Sequence, residues 1–183
     1  MAKLIATSSV QGLLPVSAGH VRLHAREFDC LTLIQPFKGK TTAVGKCLKS
    51  DIGLGMPKTN HVLSAAQGDC VWFGVDQALL MGPAVPMGVQ GLAALTDQSD
   101  GYVVLRLDGE GARDVLARLS TLDLRPSVFK VGHAARTGLG HMSVSLSQPE
   151  TGCYDIVVMR SFAKTAIHEI YDAMKSVATR SET

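Results

Sequence analysis

The stretch from residue 95 to 126 constrains the fold of this chain more than any other. Residues 102–107 alternate in polarity, which is the period-2 pattern of a strand packed on one face. Apolar residues then recur at helical spacing over 111–121, with Asp108 placed to cap the helix and Pro126 placed to end it. The predicted buried positions are Val103, Leu105, Leu107, Ala112, Val115, Leu116 and Leu119, and the predicted outer positions of the helix include Arg113 and Arg118. None of the buried residues is chemically reactive, so we interpret this stretch as a packing unit.

Composition describes an ordinary globular protein of 183 residues, 46% hydrophobic and 19% charged, for which one domain is the default. A net charge of +2 is too small to indicate a nucleic-acid partner. No apolar run approaches the roughly 20 residues of a membrane span, and the N-terminus lacks the continuous apolar segment of a secretory signal. Four separated cysteines without a C-x-x-C pair favour reduced thiols. We therefore expect a cytoplasmic protein without membrane contact.

A run of lysines supplies most of the positive charge in the first half of the chain. A solvated helix face is one interpretation of this run, and a surface that faces an acidic partner is the other. The lysines are Lys38, Lys40, Lys46, Lys49 and Lys58.

The pattern predicts helices and antiparallel hairpins in both halves. Two strands fit 20–36, and a helix runs from a Thr41 cap to about Gly53. In the second half, residues 142–147 alternate apolar residues with serine, which predicts one lightly covered strand face, and Ser161 caps the last helix. Further predicted strands lie at 61–66, 70–73, 78–81, 134–137 and 154–158, and the apolar stripe of the last helix includes Phe162, Ala166, Ile167, Ile170, Met174 and Val177.

Both halves share the order of strand, helix, proline-containing loop and hairpin, which suggests an internal duplication. The predicted fold class is α+β, with internally duplicated antiparallel β-sheet units and helices packed on one face. We expect a single domain over 1–183, with an irregular arm at 1–19, halves at about 20–82 and 95–178, and a linker at 83–94.

Glycine-rich and histidine-containing segments each have a structural explanation. Gly39-Lys40-Thr41 lacks the leading glycine of a P-loop, and the pairs Gly53/Gly55 and Gly109/Gly111 lack the third glycine of a dinucleotide fingerprint. His20 and His24 share a polar strand face with Arg22 and Arg26, which would repel a cation. The other histidines, His61, His133, His141 and His168, have no carboxylate or cysteine at ligand spacing.

Ser99 and Trp72 also have structural explanations. No base is identifiable for Ser99, so Asp97-x-Ser99 predicts a turn, and the only tryptophan is expected in the core rather than against a cofactor. We assign no catalytic, cofactor-binding or metal-ligating residue from the sequence.

Several motifs nevertheless match the pattern of one known family. The longest is D-x-S-D-G-Y-V-V-L-R-L-x-G-x-G-A-R-D-V-L at 97–116, followed by L-D-L-x-P at 122–126. Supporting matches are M-P-x-x-N at 56–60, W-F-G-V-D-Q-A-L-L at 72–80, A-R-T at 135–137, the strand 154–158 and R-S-F-A at 160–163. With these motifs the chain resembles the gamma subunit of bacterial heterotetrameric sarcosine oxidase, over about residues 30–178.

This resemblance implies an accessory, non-catalytic subunit of an oxidoreductase that acts on CH–NH donors. The complex demethylates sarcosine to glycine, passes the one-carbon unit to tetrahydrofolate and reduces oxygen. FAD, FMN and NAD are expected in the large subunits and zinc in the smallest, so the implied partners are the alpha, beta and delta subunits. The fold is similar to the folate-binding fold of the glycine-cleavage aminomethyltransferases, but residues 140–145 stand where a Gly-Gly-x-x-Asp-Asp-like folate hairpin would be.

Three alternatives stay open at this point. Besides the accessory subunit, they are a subunit of a related N-methyl amino acid dehydrogenase, a stand-alone folate-binding aminomethyltransferase and an assembly factor. The absence of paired acidic residues on a glycine-rich hairpin disfavours the aminomethyltransferase. Apolar residues outside any helix or strand phase also suggest that the N-terminal arm orders against a partner, so that deleting 1–18 would leave a folded chain that no longer assembles. These residues are Leu4, Ile5, Leu13, Leu14, Val85 and Met87.

Overall fold

The computed structural model describes residues 7–181. It contains eleven strands and three α-helices, with additional 3-10 turns at Met87–Val89 and Arg160–Phe162. The strands are β1 Val16–Ala18, β2 Val21–Arg26, β3 Cys30–Pro36, β4 Val62–Ala65, β5 Gly68–Gly74, β6 Gln77–Gly82, β7 Ala93–Asp97, β8 Tyr102–Gly109, β9 Ala134–Leu139, β10 Met142–Glu150 and β11 Cys153–Met159. The helices are α1 Thr41–Ile52, α2 Ala112–Ala117 and α3 Ala163–Ser181.

Two antiparallel sheets carry the internal duplication. The six-stranded sheet has the order β1-β2-β8-β11-β10-β9, and the five-stranded sheet has the order β4-β5-β6-β3-β7. The units β3-α1-β4-β5-β6 and β8-α2-β9-β10-β11 therefore place equivalent strands side by side in the same order. The topology confirms the predicted duplicated antiparallel units.

The connecting strands cross between the two units. β2 precedes the first unit in sequence but pairs with β8, and β7 precedes the second unit but pairs with β3. Residues 21–26 consequently belong to the six-stranded sheet, and β7 begins at Ala93, inside the segment predicted as a linker. Alternating polarity identifies a strand without identifying its neighbour, so the sequence pattern could not show this exchange.

Four layers result from the packing of the helices outside the two sheets. α2 and α3 cover the outer face of the six-stranded sheet, and α1 covers the outer face of the five-stranded sheet. A third apolar cluster fills the space between the sheets, with Val104 and Val157 from one sheet against Val71, Leu79 and Met81 from the other. Each sheet thus has its helices on one face, as predicted, and buries its other face against the second sheet.

Burial between the sheets overturns the expected wet strand face. Ser145 and Ser147 are each only 1% exposed, because both faces of β10 are covered. Phe162 is also misplaced in the predicted stripe, since it lies in the 3-10 turn before α3 and is 45% exposed. Ser161 lies in that same turn rather than at the start of α3.

Helix α2 is shorter than the predicted 111–121, because it begins at Ala112 and ends at Ala117, well before Pro126. Asp108 is still in β8, where it pairs with Cys153 on β11 and with Arg22 on β2, so it does not cap the helix. The N-cap is Gly111, whose φ of 96° is in the left-handed region that favours glycine. In α1 the N-cap is Lys40, without a side-chain hydrogen bond, rather than Thr41, and Gly53 ends the helix as predicted.

The described part of the N-terminal arm packs on the core of its own chain. Val10 is buried, Leu13 and Leu14 lie against the cluster under α2 and α3, and β1 pairs with β2. Val85 likewise packs against the cluster under α1, whereas Met87 is 78% exposed. Deleting 1–18 would therefore remove core contacts, contrary to the expected role as a separable tether; Leu4 and Ile5 lie outside the described residues.

Candidate functional site

The most prominent polar cluster is an ion network that joins the two sheets. Arg26 Nη1 on β2 donates to Asp155 Oδ2 on β11 and to Asp69 Oδ2 on β5, each at 2.6 Å. Arg106 on β8 makes a bidentate pair with Asp155, from Nε to Oδ1 at 2.7 Å and from Nη2 to Oδ2 at 2.9 Å. Asp69 is the member that comes from the five-stranded sheet, so this network links the layers directly.

Burial makes the pairing within this network necessary. Asp69 is 4% exposed and Asp155 is 1% exposed, and a buried carboxylate without a partner would be strongly destabilising. The hydrogen bond to Asp155 raises the pKa of Arg106, with desolvation acting against it. Arg26 also stacks on Phe28, with the guanidinium carbon 4.6 Å from the ring centre. The charged groups satisfy one another, which is the arrangement of a structural joint.

A cleft of about 290 Å³ opens beside this network. Its wall combines Arg26 with the aromatic rings of Phe28 and Tyr102 and with the apolar side chain of Leu31. The polar group at its edge, Ser99, accepts a hydrogen bond from the Leu31 backbone N–H at 3.0 Å. Two polar groups of the cleft, Arg26 and Ser99, are therefore already engaged within the chain.

The turn at Asp97–Ser99 is confirmed as a structural element. Asp97 Oδ1 accepts hydrogen bonds from the Ser99 hydroxyl at 2.6 Å and from the Ser99 backbone N–H at 2.9 Å. Together these bonds lower the pKa of Asp97. A hydroxyl held between a carboxylate and a backbone amide fixes the chain before β8.

His24 lies on β2 as predicted, beside Asp108 on β8. Its Nδ1 is 3.2 Å from Asp108 Oδ2, but the contact lacks hydrogen-bond geometry. Desolvation is the main cause that lowers the pKa of His24; Arg22 and Arg106 add to it, while Asp108 and Asp155 oppose it. His20 lies in the turn before this strand rather than on its face, and is exposed.

Two other histidines, far apart in sequence, meet in the structure. The ring centres of His61 and His133 are 5.1 Å apart, and the two residues form an isolated antiparallel bridge. The sequence pattern did not predict this pair, because neither histidine has a ligand-forming residue among its near neighbours in the sequence. The signal that could have revealed it is the repeated Lys-x-x-His pattern at 58–61 and 130–133, in equivalent loops of the two units.

The segment in the place of a folate hairpin is a tight turn between β9 and β10. Its His141 and Ser143 are exposed. Among residues 7–181 the buried carboxylates are Asp69 and Asp155, and both are paired with arginine. Neither of these two carboxylates is therefore left free to pair with a pteridine.

All four cysteines are free thiols, as predicted. Burial, with a contribution from Asp69, raises the pKa of Cys70 to about 12. Burial also raises the pKa of Cys153. Trp72, expected in the core, is half-buried on β5. Within 7–181 no three His, Cys, Asp or Glu side chains converge as a metal site, and no helix in that range is long and apolar enough to cross a membrane.

The outer surface of α1 carries both apolar and positively charged side chains. Phe37, just before the helix, is 50% exposed, and Met87, in the 3-10 turn that contacts α1, is 78% exposed. The lysines predicted here are exposed, and the ion pairs of the described residues include none of them. We call this surface, made of Phe37, Lys38, Lys40, Lys46, Lys49 and Met87, the α1 face.

Comparison with known proteins places this fold in a family. The family described as "Sarcosine oxidase, gamma subunit family" matches residues 38–175, which is most of the chain. This chain belongs to that family. A relative from Arthrobacter sp., named sarcosine oxidase subunit gamma, is 31% identical over 143 residues, covering 72% of this chain and 70% of the relative. The predicted resemblance is therefore confirmed.

Solved structures show how far the gamma-subunit fold extends. A chain of the heterotetrameric sarcosine oxidase from Corynebacterium sp. U-96 superposes with a TM-score of 0.78 and 24% identity, covering 94% of this chain and 96% of that one. The glycine cleavage system aminomethyltransferase T from Bartonella henselae has a TM-score of 0.56 and 14% identity. The match spans 84% of the present chain but only 46% of the aminomethyltransferase. At these identities the likeness establishes the fold, including its relation to the aminomethyltransferases.

Proposed function

We propose that this chain is the accessory gamma subunit of a heterotetrameric sarcosine oxidase and assembles with alpha, beta and delta subunits. Membership of the gamma-subunit family carries this proposal. The likeness to a chain of a solved heterotetramer supports it, because the match covers nearly the full length of both chains. FAD, FMN, NAD, tetrahydrofolate and zinc then reside in the partner subunits, and the complex acts in the cytoplasm.

The same proposal gives this chain no catalytic, cofactor-binding or metal-ligating role in sarcosine oxidation. Support comes from the ion network, in which Arg26, Arg106, Asp69 and Asp155 bind one another rather than facing a substrate. We also propose that residues 1–183 form one domain. The apolar cluster between the sheets supports this, because it draws side chains from both units.

The α1 face is the surface we propose for docking on a larger subunit. Phe37 and Met87 expose apolar area to water in the free chain, and a partner that covered this area would gain binding free energy. The lysines of this face favour an acidic patch on that partner, since complementary charge steers association and fixes orientation. Of the two interpretations of the lysine run, the partner surface is the one we adopt.

Co-expression with tagged large subunits tests this assignment. We expect the full chain to co-purify in a complex, and the double variant Lys46→Glu, Lys49→Glu to lose most of that association while keeping its fold. Lys164→Glu on α3 is the matched control, because it reverses an exposed charge on another helix. Equal recovery of all three chains in the complex would exclude the α1 face, and failure of the unaltered chain to join would exclude the assembly itself.

A folate-binding, aminomethyltransferase-like protein is the second candidate, and the fold relation to aminomethyltransferase T is the observation that favours it. Titration of the full chain with a reduced folate, followed by the fluorescence of Trp72, separates the two proposals. Saturable quenching at micromolar ligand would support the second candidate. We expect no saturable quenching. A third candidate, the equivalent subunit of a related N-methyl amino acid dehydrogenase, would be distinguished by the amine that the assembled complex oxidises.

A further inference from the structure

Two equivalent turns bring His61 and His133 together at the boundary between the sheets. Each turn has the sequence Lys-x-x-His, and in each the histidine N–H donates to the lysine carbonyl, at 3.1 Å for 58–61 and 2.9 Å for 130–133. The third residue is in the left-handed region in both turns, with φ of 61° at Asn60 and 85° at Gly132. The two turns are thus copies of one conformation in the two units.

Reciprocal backbone hydrogen bonds lock these turns against each other. Val62 N–H donates to Gly132 O at 2.8 Å, and Ala134 N–H donates to Asn60 O at 2.8 Å. The neighbouring hairpins add a second matched pair, in which the backbone N–H groups of Trp72 and Gln148 donate to the carbonyls of His61 and His133, both at 2.9 Å. The imidazoles are therefore mounted on a rigid scaffold with local two-fold symmetry.

The spacing of the rings is compatible with two ligands of one ion. The ring centres are 5.1 Å apart and the ring planes are tilted by 57°. A zinc–nitrogen bond of about 2.0–2.1 Å with tetrahedral angles places two ligating imidazole centres roughly 5 Å apart. The observed distance of 5.1 Å between the ring centres matches this value.

A hydrogen bond prepares His61 for such a role. Its Nδ1 lies 2.8 Å from the carbonyl oxygen of Thr59, so Nδ1 carries the proton and donates it. The lone pair is then on Nε2, and an imidazole whose other nitrogen donates to a backbone carbonyl is the usual state of a metal-bound histidine. His133 packs edge-on against Phe129, which limits its ring rotation.

We propose that His61 and His133 bind one divalent ion of the imidazole-preferring class, with Zn²⁺ as the probe ion, and that the ion links the two repeated units. Water completes the coordination, because within 7–181 no third His, Cys, Asp or Glu side chain converges with the pair. Two protein ligands give weaker binding than the four of a closed structural zinc site. Neither histidine belongs to the α1 face.

A Zn²⁺ titration of the full-length chain, followed by imidazole ¹H–¹⁵N spectra and by calorimetry, tests this site. We expect the resonances of His61 and His133 to shift together and saturate at one equivalent, while those of His141 stay unchanged. His61→Gln and His133→Gln should each weaken this binding at least tenfold. His141→Gln is the matched control, since His141 is exposed in a turn outside the pair.

The outcomes are distinguishable. Zn²⁺ that binds only at cysteines would leave the imidazole resonances of the pair unmoved and would overturn the proposal. So would unchanged affinity in either variant of the pair. The spectra of the unaltered chain decide the matter even if a variant does not fold, because they identify the ligands directly.

Discussion

The two sheets share one strand order but distribute charge differently. β8 and β11 of the six-stranded sheet contribute Arg106 and Asp155 to the ion network. Their equivalents in the five-stranded sheet, β3 and β6, contain no charged residue at all. The five-stranded sheet supplies only Asp69, from β5, to meet Arg26 of the other sheet.

This difference shows that the duplicated scaffold and the joint between its copies depend on different residues. The scaffold rests on apolar alternation and on the matched turns, which both units contain. The ion network is asymmetric, and three of its four members lie in the six-stranded sheet. Loss of the network should therefore affect stability far more than loss of a single exposed ion pair.

The largest expected effect is that of Asp155→Ala. Without this carboxylate, Arg106 loses its ion-pair partner and Arg26 loses one of its two, although both side chains are largely buried. The free energy of unfolding should therefore fall by about 3–5 kcal/mol. Urea denaturation measures the change. Asp123→Ala, which breaks the exposed pair with Arg125, is the control and should leave the free energy of unfolding nearly unchanged. Similar costs for both variants would contradict the role given to the network.

Leucine truncations compare the helix layers of the two units. Leu48 on α1 and Leu116 on α2 are both 0% exposed, so either change to alanine should cost about 2–5 kcal/mol in the same assay. Arg118→Ala, on the exposed side of the chain after α2, should cost little. Arg113, also predicted on the outer side of α2, is unsuitable as a control because it is half-buried and its Nε has no hydrogen-bond partner. A Leu116 variant as stable as the Arg118 variant would refute the packing of α2.

A smaller effect of pH should distinguish β2, which carries His24, from its counterpart β7, which has no histidine. Burial lowers the pKa of His24 in the folded chain, so the unfolded chain takes up the proton first as pH falls below about 6.5. Stability is lost from there down through the folded pKa. Denaturation between pH 7.5 and 5 should show a shallower decline for His24→Gln than for exposed His168→Gln. Identical slopes in the two variants would remove His24 as a source of the decline.

The smallest effect concerns thiol reactivity. Cys70 of the five-stranded sheet is fully buried, with a pKa of about 12, whereas Cys153 of the six-stranded sheet is half-buried with a raised pKa. Because the thiolate is the reactive form, iodoacetamide should label Cys70 last. Peptide mass spectrometry after timed quenching gives the order. Labelling of Cys70 before Cys153 in the folded chain would contradict the layer assignment of β5.

Local patterns in the sequence predicted most strands and the duplication, because alternation and helical spacing depend on near neighbours. Strand exchange was not predictable in this way, since β2 and β7 pair with strands of the opposite unit. The ion network was missed for the same reason: Arg26 and Asp155 are 129 positions apart. The predicted exposure of Ser145 was wrong, because alternation cannot distinguish a solvent-exposed strand face from one that a second sheet covers.

The histidine pair illustrates what would have improved the prediction. Each histidine alone lacked neighbours with ligand chemistry, but aligning the two halves at Lys58 and Lys130 places His61 opposite His133. An internal repeat is therefore more informative when its equivalent positions are compared directly. The family resemblance, in contrast, rested on motifs that the structure shows to be packing units, such as β8 and α2.

Native mass spectrometry of the co-expressed complex tests the accessory-subunit assignment most directly. We expect one copy of this chain in each assembly with the large subunits, and no flavin or folate retained when this chain is released. An assembly of the other subunits that forms in equal yield and oxidises sarcosine equally well without this chain would contradict the account. So would release of this chain with a stoichiometric cofactor bound.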